Sequence, residues 1–244
     1  MIFRIIFCLL FINGIFCVLI PFGLQGQSTS GIPGYIRIPT ATLNRDGTFF
    51  IGTSFLPKNY LEYSKYQYDA GTAFVSITFL PFVEVDFRFT RQLNYPNYKS
   101  HVSDRMPSIR FRLFKEKKWI PSVVVGVQDF LTSIESGDAR HFQSSYLVVT
   151  KGFHILPLEL NIETTAGYGA NWLVSRNYEL LGFWGGICLN WNKVQWINLM
   201  IDYDGNVVST GIEAKCFQHL FIKAGFVDFN SFTGCISYHI YLKK

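Results

Sequence analysis

The side chains with chemical potential fall at alternate positions. Glu84, Asp86 and Arg88 occupy every second place within 82–90, and Arg110 and Arg112 do so within 107–114. Glu159 and Glu163, then Glu213 and Lys215, and finally Lys223 continue the pattern. A spacing of two puts side chains on one face of an extended strand. These residues therefore read as a charge ladder on a polar face, with Asp129 close enough to join it. Arginine in such a ladder grips a carboxylate, either on a neighbouring strand or on an acidic sugar. Two uses stay open: the pairs hold the wall shut, or they line a path for a solute. The five histidines, His101, His141, His154, His219 and His239, lack metal-ligand spacing and read as loop or rim residues. Ser144 and Ser145 lie near His141 in sequence, but that proximity does not make a nucleophile and base. No Gly-x-Ser-x-Gly, phosphate-loop or dinucleotide fingerprint occurs. The chain is expected to be no enzyme, with no catalytic residue, no cofactor and no metal.

The elements that must position this ladder are strands. Of 244 residues, 49% are hydrophobic, 17% aromatic and only 16% charged, against roughly 25% charged in a typical soluble domain. That much apolar surface excludes disorder. Beyond the N-terminus no uncharged run reaches the roughly 18 residues of a spanning helix. The net charge of +5 forms no basic stripe, so nucleic acid is excluded as a partner. Period-two alternation predicts about twelve strands, near 48–56, 70–79, 82–91, 107–114, 121–129, 142–151, 158–167, 182–190, 194–202, 206–215, 218–227 and 233–242. Four long connections, 57–69, 92–106, 130–141 and 168–181, fall at one end of such a sheet, and short turns fall at the other. An outer-membrane barrel has this asymmetry. The expected fold is all-β, an antiparallel up-and-down transmembrane β-barrel of about 12 strands. In that register Val83, Val85, Phe87 and Phe89 face lipid. Glu84, Asp86, Arg88, Arg110, Arg112, Glu159, Glu163, Glu213, Lys215 and Lys223 face the lumen. A charge on the lipid side at mid-depth would cost about 2–4 kcal/mol. Aromatics near strand ends, including Trp119, Trp172, Trp184, Trp191, Trp196, Tyr203 and Tyr238, suit interfacial girdles.

Residues 1–26 read as a signal peptide, with Arg4 ahead of an apolar run and cleavage near Gly26/Gln27. Residues 27–47 are an N-terminal lead-in and 48–244 the barrel. Within the lead-in, 31–42 is either a periplasmic approach or a plug. Cys188, Cys216 and Cys235 read as small hydrophobes in strands, with a Cys216–Cys235 disulfide as the alternative.

The motifs carry a family resemblance. Gly31-Ile-Pro-Gly34-Tyr-Ile-Arg-Ile-Pro39-Thr40-Ala41, followed by Asp46-Gly47, resembles the opening of the YjbH family of exopolysaccharide- and capsule-associated outer-membrane proteins. Leu80-Pro81 with Glu84 and Phe87-Arg88-Phe89-Thr90 resembles that family's Leu-Pro … Glu … Phe-Arg-Tyr-Thr hairpin. The segments 108–113, 120–130 and 145–151 resemble its following strands. Relatives in the family are often longer and look like two barrel units in tandem, of which this chain corresponds to one. The resemblance implies a role in surface polysaccharide and marks Gly34, Pro39, Thr40 and Ala41 as motif positions. The combined expectation is a non-enzymatic outer-membrane accessory to exopolysaccharide or capsule biosynthesis or export, a scaffold or narrow conduit. Its expected partners are outer-membrane lipid, surface polysaccharide and other polysaccharide-export proteins. The competing readings are a barrel enzyme on lipid or glycan, a simple diffusion channel, and a soluble secreted β-sandwich or adhesin.

Overall fold

The computed structural model describes residues 17–18, 25–58, 62–63, 66–67, 69–93, 103–130, 143–172, 179–217 and 219–242. Of the expected signal peptide, residues 17–18, 25 and 26 are described, and Gln25 and Gly26 are buried in one stretch with the lead-in. Twelve strands follow one another: β1 (Thr48–Leu56), β2 (Ala70–Thr78), β3 (Val83–Gln92), β4 (Ser103–Phe114), β5 (Ser122–Gln128), β6 (Ser144–Ile155), β7 (Leu160–Ala170), β8 (Gly182–Trp191), β9 (Ile197–Tyr203), β10 (Val208–Cys216), β11 (Leu220–Val227) and β12 (Ser231–Tyr241). Each pairs antiparallel with its sequence neighbours, and β12 pairs with β1 from Tyr241↔Thr48 to Gly234↔Phe55. The sheet is therefore a closed antiparallel barrel of twelve strands, as the periodicity predicts. Two-residue pieces decorate it: Cys17–Val18 lies against Ile155 and His154, and Glu62–Tyr63 pairs with Tyr66–Gln67.

Alternation places the side chains, and it runs opposite to a water-soluble protein. Along β3, Glu84, Asp86 and Arg88 are 0, 4 and 3% exposed, while Val85 and Phe87 are 40 and 43% exposed. Ile51, Phe111, Ile187, Ile201, Ile212, Phe226 and Ile236 extend the same outer apolar belt around the barrel. Trp119, Trp172 and Trp196 stand out near its two ends. Trp184 does not join them. It shares the inward parity of Cys188 and is buried, so its place is the lumen.

Two boundaries differ most from the sequence expectation. β4 begins at Ser103 and runs through Pro107. A proline is tolerated there because β5 pairs with β4 only as far as Ser108, so no ladder bond is lost. The β6–β7 turn lies at 156–159, further along than expected, because Leu156-Pro157-Leu158 forms a 3-10 turn and Glu159 takes a left-handed φ of 47°. Cys188, Cys216 and Cys235 are free. Cys235 is buried with the lumen-facing residues of β12, whereas Cys216 carries the outward parity of Ile212, so the two cannot meet in a disulfide.

The lumen is filled by the chain's own N-terminal segment. Every residue from 25 to 41 is buried. The segment folds back on itself through bridges Gln27↔Pro33 and Gly34↔Pro39, and Tyr35 N–H donates to Ile38 O at 2.9 Å. Its apolar residues Ile32, Tyr35, Ile36, Ile38, Ala41 and Leu43 form one core with inward-facing Val124, Tyr146, Val148, Trp184, Cys188 and Met200.

Candidate functional site

A backbone inside a barrel loses contact with bulk water, so its N–H and C=O groups need partners from the wall. The wall charges supply them at three stations.

At the first station, Arg110 Nη1 donates to Glu84 Oε1 at 2.8 Å, with both side chains fully buried. The second guanidinium nitrogen donates to the Thr40 carbonyl. Glu84 Oε2 also accepts from Thr78 at 3.1 Å and from Asn44 at 3.2 Å. Two strands thus present an ion pair whose free donor grips the plug. Ala41 is held at both ends: its N–H donates to Thr150 Oγ1 at 2.7 Å, and its carbonyl accepts from Ser122 at 2.6 Å.

At the second station, Lys223 Nζ donates to the carbonyls of Gly34 and Tyr35 at 2.7 and 2.8 Å. It also lies 3.2 Å from Glu213 Oε2. Glu213 accepts in turn from Gly26 N–H at 3.1 Å and from Asn198 at 2.9 Å. Glu163 accepts from the Gln25 amide at 3.0 Å, and Gln25 Oε1 accepts from Thr40 at 2.8 Å. Tyr35 OH donates to the Glu163 backbone carbonyl at 3.1 Å. Burial first, then the neighbouring Glu163, pushes the Tyr35 phenol well above its usual pKa, so it stays a donor.

At the third station, Asp202 Oδ2 accepts from the N–H groups of Ile36 and Arg37 at 2.7 and 2.9 Å. The Arg37 guanidinium meets Asp204 at 2.7 Å.

The motif residues now have physical roles. A Cβ on Gly34 would stand 2.1 Å from the Ile38 carbonyl, so the fold-back admits only glycine there. Pro39 bridges Gly34 across that turn, Thr40 lends its carbonyl to Arg110, and Ala41 docks on β5 and β6. Space for the plug is made in the wall as well. A Cβ on Gly211 would stand 2.5 Å from the Ile36 side chain.

Of the ladder, Glu84, Arg110, Glu163, Glu213 and Lys223 come together around the plug. Asp86 lies in the lumen beside Ser76 and Ser108 in the register, and Arg88 donates to Met106 Sδ at 3.4 Å. Asp129 is buried at the end of β5. Lys215 sits half-buried, with its ammonium 5.6 Å from the Phe221 ring centroid. Two expectations are corrected. Arg112 is at the rim, where it donates to the Pro81 carbonyl of the β2–β3 turn, because a register irregularity ends the regular β4 ladder beside it. Glu159 is outside the lumen, exposed in the β6–β7 turn, with Lys193 3.7 Å away. Among the described histidines, His219 keeps the expected rim place in the β10–β11 turn, with Nδ1 3.0 Å from the His239 carbonyl, whereas His239 does not. His239 is buried in the lumen between Phe50 and Phe221, with ring centroids 3.7 and 4.2 Å away. His154 is buried and bonds Asn161 at 2.7 Å. His101 and His141 lie outside the described residues. Among the described residues no three His, Cys, Asp or Glu side chains group as metal ligands.

Sequence reasoning missed Gln25, Arg37, Asn44, Asp202 and Asp204. One signal was available: Val123-Val124-Val125 and Val148-Val149 are apolar on both faces, which a water-filled lumen would not favour.

Residues 26–179, from the plug through β7, match the YjbH family, described as exopolysaccharide biosynthesis protein YbjH. A protein of Escherichia coli K12 described as an uncharacterized lipoprotein, YjbH, is 27% identical over 149 residues, which are 58% of this chain and 19% of that protein. The chain therefore matches about a fifth of the length of that curated relative. The stretch matched includes both motif regions that meet at the Glu84–Arg110–Thr40 station, and the chain belongs to the YjbH exopolysaccharide biosynthesis family.

Proposed function

We propose that this chain is a self-plugged outer-membrane barrel serving as a non-enzymatic accessory in exopolysaccharide biosynthesis or export. It acts as a scaffold and not as a conduit. The observation that carries the reading is the unbroken burial of residues 25–41 inside the barrel, with wall charges spent on the plug's backbone. A solute path needs charges free to exchange partners, and these are engaged.

The outer-membrane location is supported by the belt of exposed Ile, Val, Phe and Leu that recurs on strand after strand, because contiguous exposed apolar surface marks a face that meets a partner or lipid. It is also supported by the asymmetry of long and short connections. Lipid would cover the belt. Surface polysaccharide and other export proteins would meet the connections.

The test combines fractionation, gel migration of heated and unheated protein, and planar-bilayer recording. The expected result is outer-membrane recovery, a heat-dependent mobility shift and no steady conductance, together with altered surface polysaccharide on gene deletion. Recovery as a soluble protein would overturn the location. Steady conductance by the intact chain would overturn the scaffold in favour of a channel.

A further inference from the structure

The wall carries a second polar level that the plug leaves unused. The strand register aligns Ser76, Asp86, Ser108, Gln128 and Ser144 across β2 to β6. All five are buried and carry the inward parity. The level lies two residues along each strand from Glu84 and Arg110, on the side of the long connections. Among the described residues, Gln128 Oε1 and Ser144 Oγ make no hydrogen bond. Further up β3 the same holds for Thr90 Oγ1 and for both amide atoms of Gln92. These four side chains are 2, 1, 6 and 9% exposed. Buried polar atoms are seldom left unmet, and a cluster of them calls for a polar occupant.

The chemistry of the cluster narrows that occupant. Amides and hydroxyls both donate and accept, as sugar hydroxyls do. Adjacent strands lie about 4.8 Å apart, close to the length of one pyranose ring in an extended glycan, so each strand offers one group per sugar. An apolar ligand would leave the amides unmet. An acidic glycan would face Asp86 in the middle of the row. The arginines that could have neutralised it are engaged, Arg110 by Glu84 and Thr40, Arg112 by Pro81, and Arg88, which lies between Asp86 and Thr90 on β3, by Met106 Sδ. We propose that this level, with Thr90 and Gln92 above it, is a binding site for the end of a neutral, hydroxyl-rich glycan that enters from the long-connection end. The site gives the scaffold a substrate class and rests on the accessory reading above. It holds a glycan end against the plug and passes nothing through.

The experiment uses the full chain in detergent micelles. The titrants are neutral oligosaccharides released by partial hydrolysis from the host's own extracellular polysaccharide, and the same fraction oxidised at its primary hydroxyls to carboxylates. The expected result is saturable binding of the neutral fraction. Oxidation and the paired substitution Gln128→Leu with Ser144→Ala should each weaken it about tenfold, the scale of one or two lost hydrogen bonds. The variant must keep the heat-dependent gel shift. Absence of binding by the folded barrel, or binding that the variant leaves unchanged, would overturn the site and leave those atoms to solvent. A deletion strain separates this failure from that of the accessory reading. If the folded wild-type barrel binds no neutral fraction while deletion still alters surface polysaccharide, only the site is lost. If deletion leaves polysaccharide unaltered, the accessory reading is lost whatever the titration shows.

Discussion

Two levels of one wall lie two residues apart along β3 and β4. At the first, Glu84 and Arg110 close an ion pair and reach the plug through Thr40 and Asn44. At the second, Asp86, Ser108 and Gln128 make no hydrogen bond to the plug among the described residues. Alternation makes the two levels equivalent, since both face inward and both are buried. The difference lies in what stands opposite. A charge buried in the wall is stabilising where a backbone carbonyl or N–H completes its shell, and the plug offers such groups only at certain heights. The plug is thus the feature that sorts structural charges from spare polar groups.

The sharpest way to break this comparison is at Arg110. Arg110→Ala strands Glu84 without its cation and removes the donor on Thr40, and breaking a buried pair costs about 3–5 kcal/mol. The temperature at which the folded gel band converts to the unfolded one should drop accordingly, and an unchanged temperature would show that the pair carries no load. Lys223→Met comes next. It removes a charged donor from two carbonyls at a cost of about 2–3 kcal/mol, and protease cleavage after Arg37 in the plug should become detectable in a barrel that still closes. Gly34→Ala follows at about 1–3 kcal/mol, the usual scale of overpacking. Its effect should appear as plug release without loss of strand content by circular dichroism. At the second level, Gln128→Leu should shift stability by less than about 1 kcal/mol, because replacing an unmet polar group with an apolar one is close to neutral. A loss matching that of Arg110→Ala would erase the distinction between levels. Last comes Glu159→Ala, within about 0.5 kcal/mol, because its partner Lys193 is solvent-exposed and distant.

The wall was readable from the residues because a strand's faces alternate with a fixed period. The inward placement of Glu84, Arg110, Glu163 and Lys223 follows from that period alone. Glu159 escaped it because Pro157 ends β6 regularity and turns the chain before β7 begins. The plug obeys no period. Its path depends on Gly34 permitting a fold-back and on contacts to Asp202, Glu213 and Lys223, more than 160 residues away. Pattern reading has no access to such partners. The family motif marked Gly34, Pro39, Thr40 and Ala41 as special, but only the geometry shows that Thr40 and Ala41 bind β4, β5 and β6. The barrel implied that β12 meets β1, but the register of that closure was not legible, since nothing in Tyr241 or Thr48 names the other.

The plug also dictates a schedule. Lys223 and Gly34 are separated by 189 positions, so the plug, which precedes all twelve strands of the barrel, waits for this anchor until β11 has formed. Contacts of such sequence separation form slowly, because a long loop must close before any bond rewards it. The plug, made before the strands that hold it, is therefore among the last elements to be fixed, and it must be inside before β12 zips onto β1. Assembly of this barrel is a wrapping event around its own plug, and a chain that closes prematurely would trap the plug outside.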